Sequence, residues 1–340
     1  MRYKSRILSL IPALVICALL TACEMPLDLD LDFDGYEIIP DGNPIWPDDD
    51  YYIPSYSMNI LAAASHESTL VAAGSKIVVS NDDSTWSYAF SLYSTTFSDI
   101  VWADTMFIAA GSFTKLAYSK DGINWSSNSD IGFHTLVSLA YSGTKVVTTG
   151  VKYDYAASRP TAAIFVINDL GVPEIVNSVD SVSYLPKILW NGSEFIAFGN
   201  YFSTWTTYSV VLISPDGVTW TRYADSLQPM PADVIWCGDH YLAAFQDTIY
   251  SSNDGREWTV VAKLNGIIRK LYQHESTFLA VGTQGHISIS TDGISWKQVT
   301  FPVMNDLNNA IYFDGLYYVF GFEAIYYTTD FTQWIKCSVM

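Results

Sequence analysis

The chain has 340 residues, 17 basic and 35 acidic side chains for a net charge of −18, 49% hydrophobic and 15% aromatic residues, and four cysteines. A chain of this length buries an ample core without disulfide staples. Its acidic balance repels nucleic acid and anionic lipid surfaces, which excludes a nucleic-acid partner.

In chain order, Arg2, Lys4 and Arg6 precede an apolar run from Ile7 to Leu20, shorter than the ~20 residues a membrane-spanning helix needs. This pattern predicts an export signal over residues 1–22. The run ends in Leu20-Thr21-Ala22-Cys23, which resembles the lipobox of bacterial lipoproteins. The resemblance implies removal of the signal, lipid attachment at Cys23 and a place on the bacterial cell envelope, at the outer membrane or cell surface. Several acyl chains at ~0.8 kcal/mol per buried methylene make a durable membrane anchor. With the three basic residues before Cys23 removed, 14 basic face 35 acidic side chains, a net charge of −21.

Residues 23–56 predict an acidic tether. Between Glu24 and Asp50 there are ten acidic residues, no basic ones, and prolines at 26, 40, 44 and 47. Self-repulsion and proline keep such a segment extended, with a reach of up to ~100 Å at ~3.3 Å per residue. Asp30, Asp32, Asp34, Gly35 and Asp41 follow the spacing of an EF-hand-like calcium loop. Glu37 stands where an apolar residue is usual and no flanking helical pattern is present, so a solvated spacer is the expectation and no metal is assigned.

From residue 57 to 340 one pattern recurs: Ser or Thr, a spacer, Asp, and Trp four residues later. Its copies centre on Asp82, Asp121, Asp216, Asp254, Asp292 and Asp330, with Trp86, Trp125, Trp220, Trp258, Trp296 and Trp334, and a degenerate copy at Ile167-Asn168-Asp169. The steps are 39, 48, 47, 38, 38 and 38 residues. Such self-similarity marks radially repeated units, each reading as four short alternating strands. In the fifth these are Asp233–Trp236, Tyr241–Phe245, Thr248–Ser252 and Trp258–Val261. The prediction is an all-β, seven-bladed β-propeller of four-stranded antiparallel blades. Its last strand spans Trp334–Val339, and no strand is borrowed from the N-terminus.

The pattern resembles the Asp-box, or BNR, repeat of sialidases and related propellers, in which the box is the hairpin between the third and fourth strands. Ser and Asp side chains bond the turn's own amides, and Gly accepts positive φ; the Trp is expected to tuck into the blade. Asp83 and Phe331 replace that Gly in blades 1 and 7, and Phe331 predicts a distorted turn. Repetition makes these residues structural, because a catalytic role would not be copied six times. The aromatics Trp102, Tyr141, Trp190, Trp236, Tyr272 and Tyr312 recur at the end of the first strand and are expected to pack between blades. Cys237 and Cys337 lie too far apart in this scheme to pair, so both are expected as buried free thiols.

Sialidases bind a substrate carboxylate with three arginines. The mature chain has only Arg159, Arg222, Arg256 and Arg269; Arg222 belongs to an outer strand and Arg256 to a box, so that site is not assembled. The five histidines show no metal-ligand spacing, and no phosphate loop or nucleophile elbow occurs. His66-Glu67-Ser68 and His274-Glu275-Ser276 read as a repeated turn. No catalytic residue, cofactor or metal site is assigned, although paired carboxylates on the central face would make a glycoside hydrolase of another type.

Two insertions break the symmetry, Val151–Pro160 in blade 3 and Asn200–Tyr208 in blade 4. They carry Tyr153, Tyr155, Arg159, Tyr201, Phe202, Trp205 and Tyr208 on the face opposite the boxes, where ligands usually bind in propellers of this type. Aromatic and Arg side chains on long loops have the composition of a recognition surface. The Gly282–Trp296 rhythm also resembles the propellers of photosystem assembly factors, which are binding proteins. The resulting expectation is a monomeric, non-enzymatic binding or scaffolding module for a protein or glycan partner at the envelope.

Overall fold

The computed structural model describes residues 58–340 except 83, 93–94, 129–133, 155–158, 168–172, 179–181, 203–206 and 224–229. The signal, Cys23 and the tether with its calcium-loop spacing lie outside the described residues.

Seven antiparallel sheets follow one another along the chain, each with four strands in sequence order. The first strands, at Ile60–His66, Phe97–Ala103, His134–Tyr141, Tyr184–Trp190, Asp233–Trp236, Ile268–His274 and Leu307–Phe313, are innermost. The chain is a seven-bladed β-propeller. In blade 5 three strands fall where the alternating pattern puts them, and the fourth is Thr259–Lys263 in place of Trp258–Val261.

The core lies between the blades. Seven clusters of buried apolar side chains each join two neighbours; for example, Ile60, Leu70 and Trp86 of blade 1 meet Tyr318 and Phe320 of blade 7. Each box Trp packs on the joint with the preceding blade, as Trp125 does on the blade 1–2 cluster and Trp296 on the blade 5–6 cluster. The expectation that the ring tucks into its own blade is therefore corrected. Trp86 is fully buried, whereas Trp125, Trp220, Trp258, Trp296 and Trp334 are partly exposed.

Ring closure also differs from expectation. The segment read as one last strand divides into Ile335–Lys336, which completes blade 7, and Ser338–Val339, which adds a fifth, parallel strand to blade 1 beside Thr85 and Trp86. At the other end, Asn59 bridges Phe322, and Glu323 N–H donates to Met58 O at 2.7 Å. Both ends of the described chain thus fasten blade 7 to blade 1.

The boxes behave as turns. In blade 2, Ser119 Oγ accepts from Gly122 N–H at 2.9 Å, and Asp121 Oδ1 accepts from Ile123 and Asn124 N–H at 2.9 and 2.7 Å. The Trp125 indole N–H closes the turn on Gly122 O at 2.8 Å. Blade 7 keeps the turn's backbone bonds in spite of Phe331: the residue takes φ +61°, its N–H still donates to Thr328 Oγ1 at 3.0 Å, and Asp330 still caps Thr332, but the Trp334 indole N–H leaves the turn and donates to Thr300 O at 3.2 Å. The predicted distortion is thus confined to the indole closure; the backbone bonds persist because Phe331 packs on Tyr317, with ring centroids 4.6 Å apart, which offsets the cost of the left-handed backbone.

Candidate functional site

Two regions of the propeller depart from its seven-fold repetition. The first is the axis. As the first strand enters most blades, its pairing with the second slips by a bulge: between Ile60 and Ala62, Phe97 and Asp99, Ile268 and Lys270, and Leu307 and Asn309. Opposite the entry stands a glycine, as at Gly74, Gly111, Gly282 and Gly321. A Cβ on any of them would run into the carbonyl of Asn59, Thr96, Ile267 or Asp306. The bulge re-aims the following side chain, so one residue per blade reaches the axis level: Ala62, Asp99, Ser138, Lys187, Asp233, Lys270 and Asn309.

These residues sew the ring together. Asp99 Oδ2 accepts from Leu139 N–H at 2.8 Å and from Ser138 Oγ at 3.0 Å, and Ser138 Oγ accepts from Ile188 N–H at 3.3 Å. Lys187 Nζ reaches Asp233 Oδ1 at 2.7 Å, and Asp233 Oδ2 accepts from Leu271 N–H at 3.0 Å. Asn309 Nδ2 donates to Leu61 O at 3.0 Å. One residue before the axis level, Arg269 binds Asp306 and Asn308, both at 2.7 Å. Burial alone would raise Asp233, but Lys187 and Lys270 hold its carboxyl below the usual range. Burial likewise opposes the Lys187 charge, and Asp233 followed by Asp99 outweighs it, leaving the ammonium above its ordinary value.

Above this ring lies a cavity of about 400 Å³, lined by side chains from all seven blades. Asp99, Lys187, Lys270 and Asn309 line one end; Trp190, Trp236 and Gln273 line the other. Because strands alternate in direction, the turn after the first strand and the box turn after the third lie on one face. The Trp190, Trp236 and Gln273 end of the cavity therefore lies toward the Asp-box face, and the end at Asp99, Lys187, Lys270 and Asn309 toward the face of the hairpins between the second and third strands.

Register also corrects the aromatic series. Trp102, Trp190, Trp236 and Tyr312 pair with Phe107, Phe195, Tyr241 and Tyr317, and Tyr141 occupies the same position opposite Val146. In blade 6 the equivalent residue, opposite Phe278, is Gln273; Tyr272 sits one residue earlier, which turns it to the other side of the sheet. The five in-register rings pack on blade joints as expected, and Tyr272, although out of register, does so too, on the blade 6–7 cluster. The repeated His turns serve the same joints: His66 stacks on Trp102 at 3.6 Å and His274 on Tyr312 at 3.7 Å, each ring lying in the next blade.

The second region is the pair of insertions, which are mainly lengthened hairpins. In blade 3, strands Val146–Asp154 and Arg159–Ile167 pair out to Asp154 opposite Arg159. In blade 4, Phe195–Phe202 and Thr207–Ser214 pair out to Phe202 opposite Thr207. Strands of eight or nine residues replace the four to six of the corresponding positions in other blades. The backbone sets Tyr153 opposite Pro160 and Tyr201 opposite Tyr208. Tyr155 and Trp205 lie outside the described residues, as do the side chains of Tyr153, Arg159, Tyr201, Phe202 and Tyr208.

The remaining charges and thiols have structural places. Arg222 is on an outer strand, and Arg256 binds Asp254 and covers the Tyr223 ring at 4.8 Å. With Arg269 held by blade 7, a three-arginine carboxylate site is not formed. Cys237 and Cys337 are free, Cys337 buried as expected and Cys237 only partly, and burial pushes both thiols up to about 12. Among the described residues, no three His, Cys, Asp or Glu side chains gather as metal ligands.

No protein-family model and no curated protein matches the chain. Solved structures do match. YCF48 bound to a D1 peptide superimposes with a TM-score of 0.61 at 14% identity, covering 80% of this chain and 93% of that one. The extracellular domain of BT4673 from B. thetaiotaomicron gives 0.59 at 11% identity over 82% of this chain and 40% of that one. A chain of the mitotic checkpoint complex gives 0.58 at 11% identity over 86% and 96%. At these identities the likeness is one of fold. It sets the protein among seven-bladed propellers, a class whose members matched here include a peptide-bound protein and a component of a multi-protein complex.

Proposed function

We propose that this protein is a lipid-anchored binding or scaffolding module of the bacterial envelope, recognising a protein partner through the blade 3 and 4 hairpins. The observation that carries this reading is their length. Adjacent blades extend the same two strands on the same face, and the extension bears Tyr153, Tyr155, Arg159, Tyr201, Phe202, Trp205 and Tyr208. A paired hairpin holds such anchors at a lower entropic cost than a free loop. The peptide bound to YCF48 favours a protein partner over a glycan. Against a glycoside hydrolase, Asp233 is held below the carboxylate range between two lysines, whereas paired-carboxylate hydrolysis needs one carboxyl raised to act as acid.

Anchoring rests on Cys23, and Cys23→Ser is expected to move the protein from the membrane fraction to the soluble one. Recognition is tested by measuring partner binding with the tether intact. Tyr155→Ala combined with Trp205→Ala is expected to lose more than ~2 kcal/mol, about thirtyfold in affinity, at nearly unchanged melting temperature. Unaltered binding by a destabilised variant would mark the hairpins as packing.

A further inference from the structure

Most exposed apolar side chains of the propeller are scattered or repeated. Ile175, Val260 and Ile335 sit singly on outer strands, and Ile123, Val218 and Ile294 occupy one box position of blades 2, 4 and 6, so neither set marks a sector. Ile267, Met304 and Phe322 are different. They are 54, 77 and 45% exposed, belong to adjacent blades 6 and 7, and lie on the hairpin face. Ile267 and Met304 precede the first strands of these blades, and Phe322 stands in the turn between the second and third strands of blade 7. Hydrogen bonds tie these connections into one row: Thr283 N–H donates to Ile267 O at 2.9 Å, Gly285 N–H to Asn305 O at 2.8 Å, and Asn305 Nδ2 to Phe322 O at 3.1 Å. A Cβ on Gly285 would run into Val303 O, so the backbone under the three side chains is closely packed. Asn59 bridges Phe322 and its O accepts from Ser75 N–H at 3.0 Å, which carries the row into blade 1. An apolar patch gathered on a fixed backbone is a mark of an interaction surface.

Charge and chain entry say where this surface points. The charged residues of the row are Asp306, paired with Arg269 at 2.7 Å, Glu323 and Lys76. On the box face the six full boxes each carry an Asp, and Glu67, Asp104, Glu275 and Asp314 add carboxylates at the turns between first and second strands. Anionic headgroups repel such a face within roughly 8 Å at physiological salt, and repel the row far less. The chain also enters the propeller in this row, at Met58, whose O accepts from Glu323 N–H at 2.7 Å. A propeller anchored through the preceding segment is therefore held by the hairpin face, with the acidic box face away from the bilayer. We propose that Ile267, Met304 and Phe322 form a docking surface for a protein embedded in the membrane that carries the anchor. Hydrocarbon itself is a poor occupant, because Glu323 and the backbone groups of the row would be costly to bury there. This inference rests on the lipid anchor of the proposed function and adds blades 6 and 7 to the hairpins of blades 3 and 4.

A photo-reactive amino acid at Met304 or Phe322 of the full chain, irradiated in the native envelope, tests it. A protease site engineered into the tether is cut afterwards, and positions 155 and 205 are run in parallel. The propeller crosslinked from 304 or 322 is expected to stay in the membrane fraction through a carbonate wash after the cut, whereas the uncrosslinked propeller is released. Deleting residues 31–50 shortens the reach of the tether to about 45 Å and is expected to leave these crosslinks within about twofold, because the partner lies beside the bilayer. Release of the crosslinked propeller would show a soluble partner, and crosslinks to lipid alone would show the bilayer; either overturns the proposal, as does a loss of ~10-fold or more on shortening the tether. Crosslinks from 155 and 205 with none from 304 and 322 overturn it while the hairpin reading stands. A propeller that is soluble before the cut overturns the anchor and this proposal together.

Discussion

The two faces of the propeller divide its work. On the Asp-box face the repeat is close: Ser119, Asp121, Gly122 and Trp125 of blade 2 recur with the same bonds as Ser290, Asp292, Gly293 and Trp296 of blade 6. Repetition of a turn builds a ring and singles out no sector. On the opposite face, blades 3 and 4 lengthen their hairpins and a sector becomes distinct. The axis teaches a subtler form of the same lesson. There the backbone repeats in most blades, but the side chains at the axis level differ, and asymmetry sits inside a regular frame.

If the box face is purely structural, its variants should change stability in proportion to burial. Trp86→Ala, at a fully buried site of ring closure, is expected to cost ~3–5 kcal/mol. The partly exposed Trp296 should cost about half of that on the same scale; urea titration of both separates the closing joint from an ordinary one. Gly321→Ala sets a Cβ against Asp306 O, whereas Gly192→Ala meets nothing within 4 Å and pays only for its φ of +98°. We expect ~1–3 kcal/mol or more at Gly321 and roughly 1 kcal/mol at Gly192.

A smaller effect follows from pH. The N–H groups of Thr219 and Val218 hold the Asp216 carboxyl down at about 2, against an ordinary 3.8, and the shift has the same direction at Asp82, Asp121, Asp254, Asp292 and Asp330. A carboxyl depressed by folding stabilises the fold fully above its unfolded value. That contribution fades as pH falls from about 4 toward 2. Acid unfolding monitored by tryptophan fluorescence should begin in this window, and Asp292→Asn should flatten it. Smallest of all, Tyr155→Ala and Trp205→Ala should each move stability by no more than ~0.5 kcal/mol, in contrast to any box variant.

Much of this fold is legible in the sequence, because a repeat samples the same physics seven times. Asp233–Trp236, Tyr241–Phe245 and Thr248–Ser252 are readable from alternation alone. Three things are not. The bulge in the first strand shifts register by one residue, and the glycine eight to ten residues before the box Asp, as at Gly74, Gly111 and Gly282, is the signal that reveals it; counted from the bulge, Gln273 and not Tyr272 matches Trp102 and Tyr312. The division of the last segment between blades 7 and 1 depends on two-residue strands, too short for any periodicity. The axis charges, at Lys187, Asp233 and Lys270, are scattered over more than 80 residues of chain and meet only when the ring closes.

The central claim is that recognition belongs to the hairpin face of blades 3 and 4. A photo-reactive amino acid placed at Tyr155 or Trp205, and in separate proteins at the exposed box positions Val218 and Ile294, tests it in the native envelope with the tether intact. The account predicts one and the same crosslinked partner from positions 155 and 205, and none from 218 and 294. Crosslinks from the box positions with none from the hairpins would contradict it.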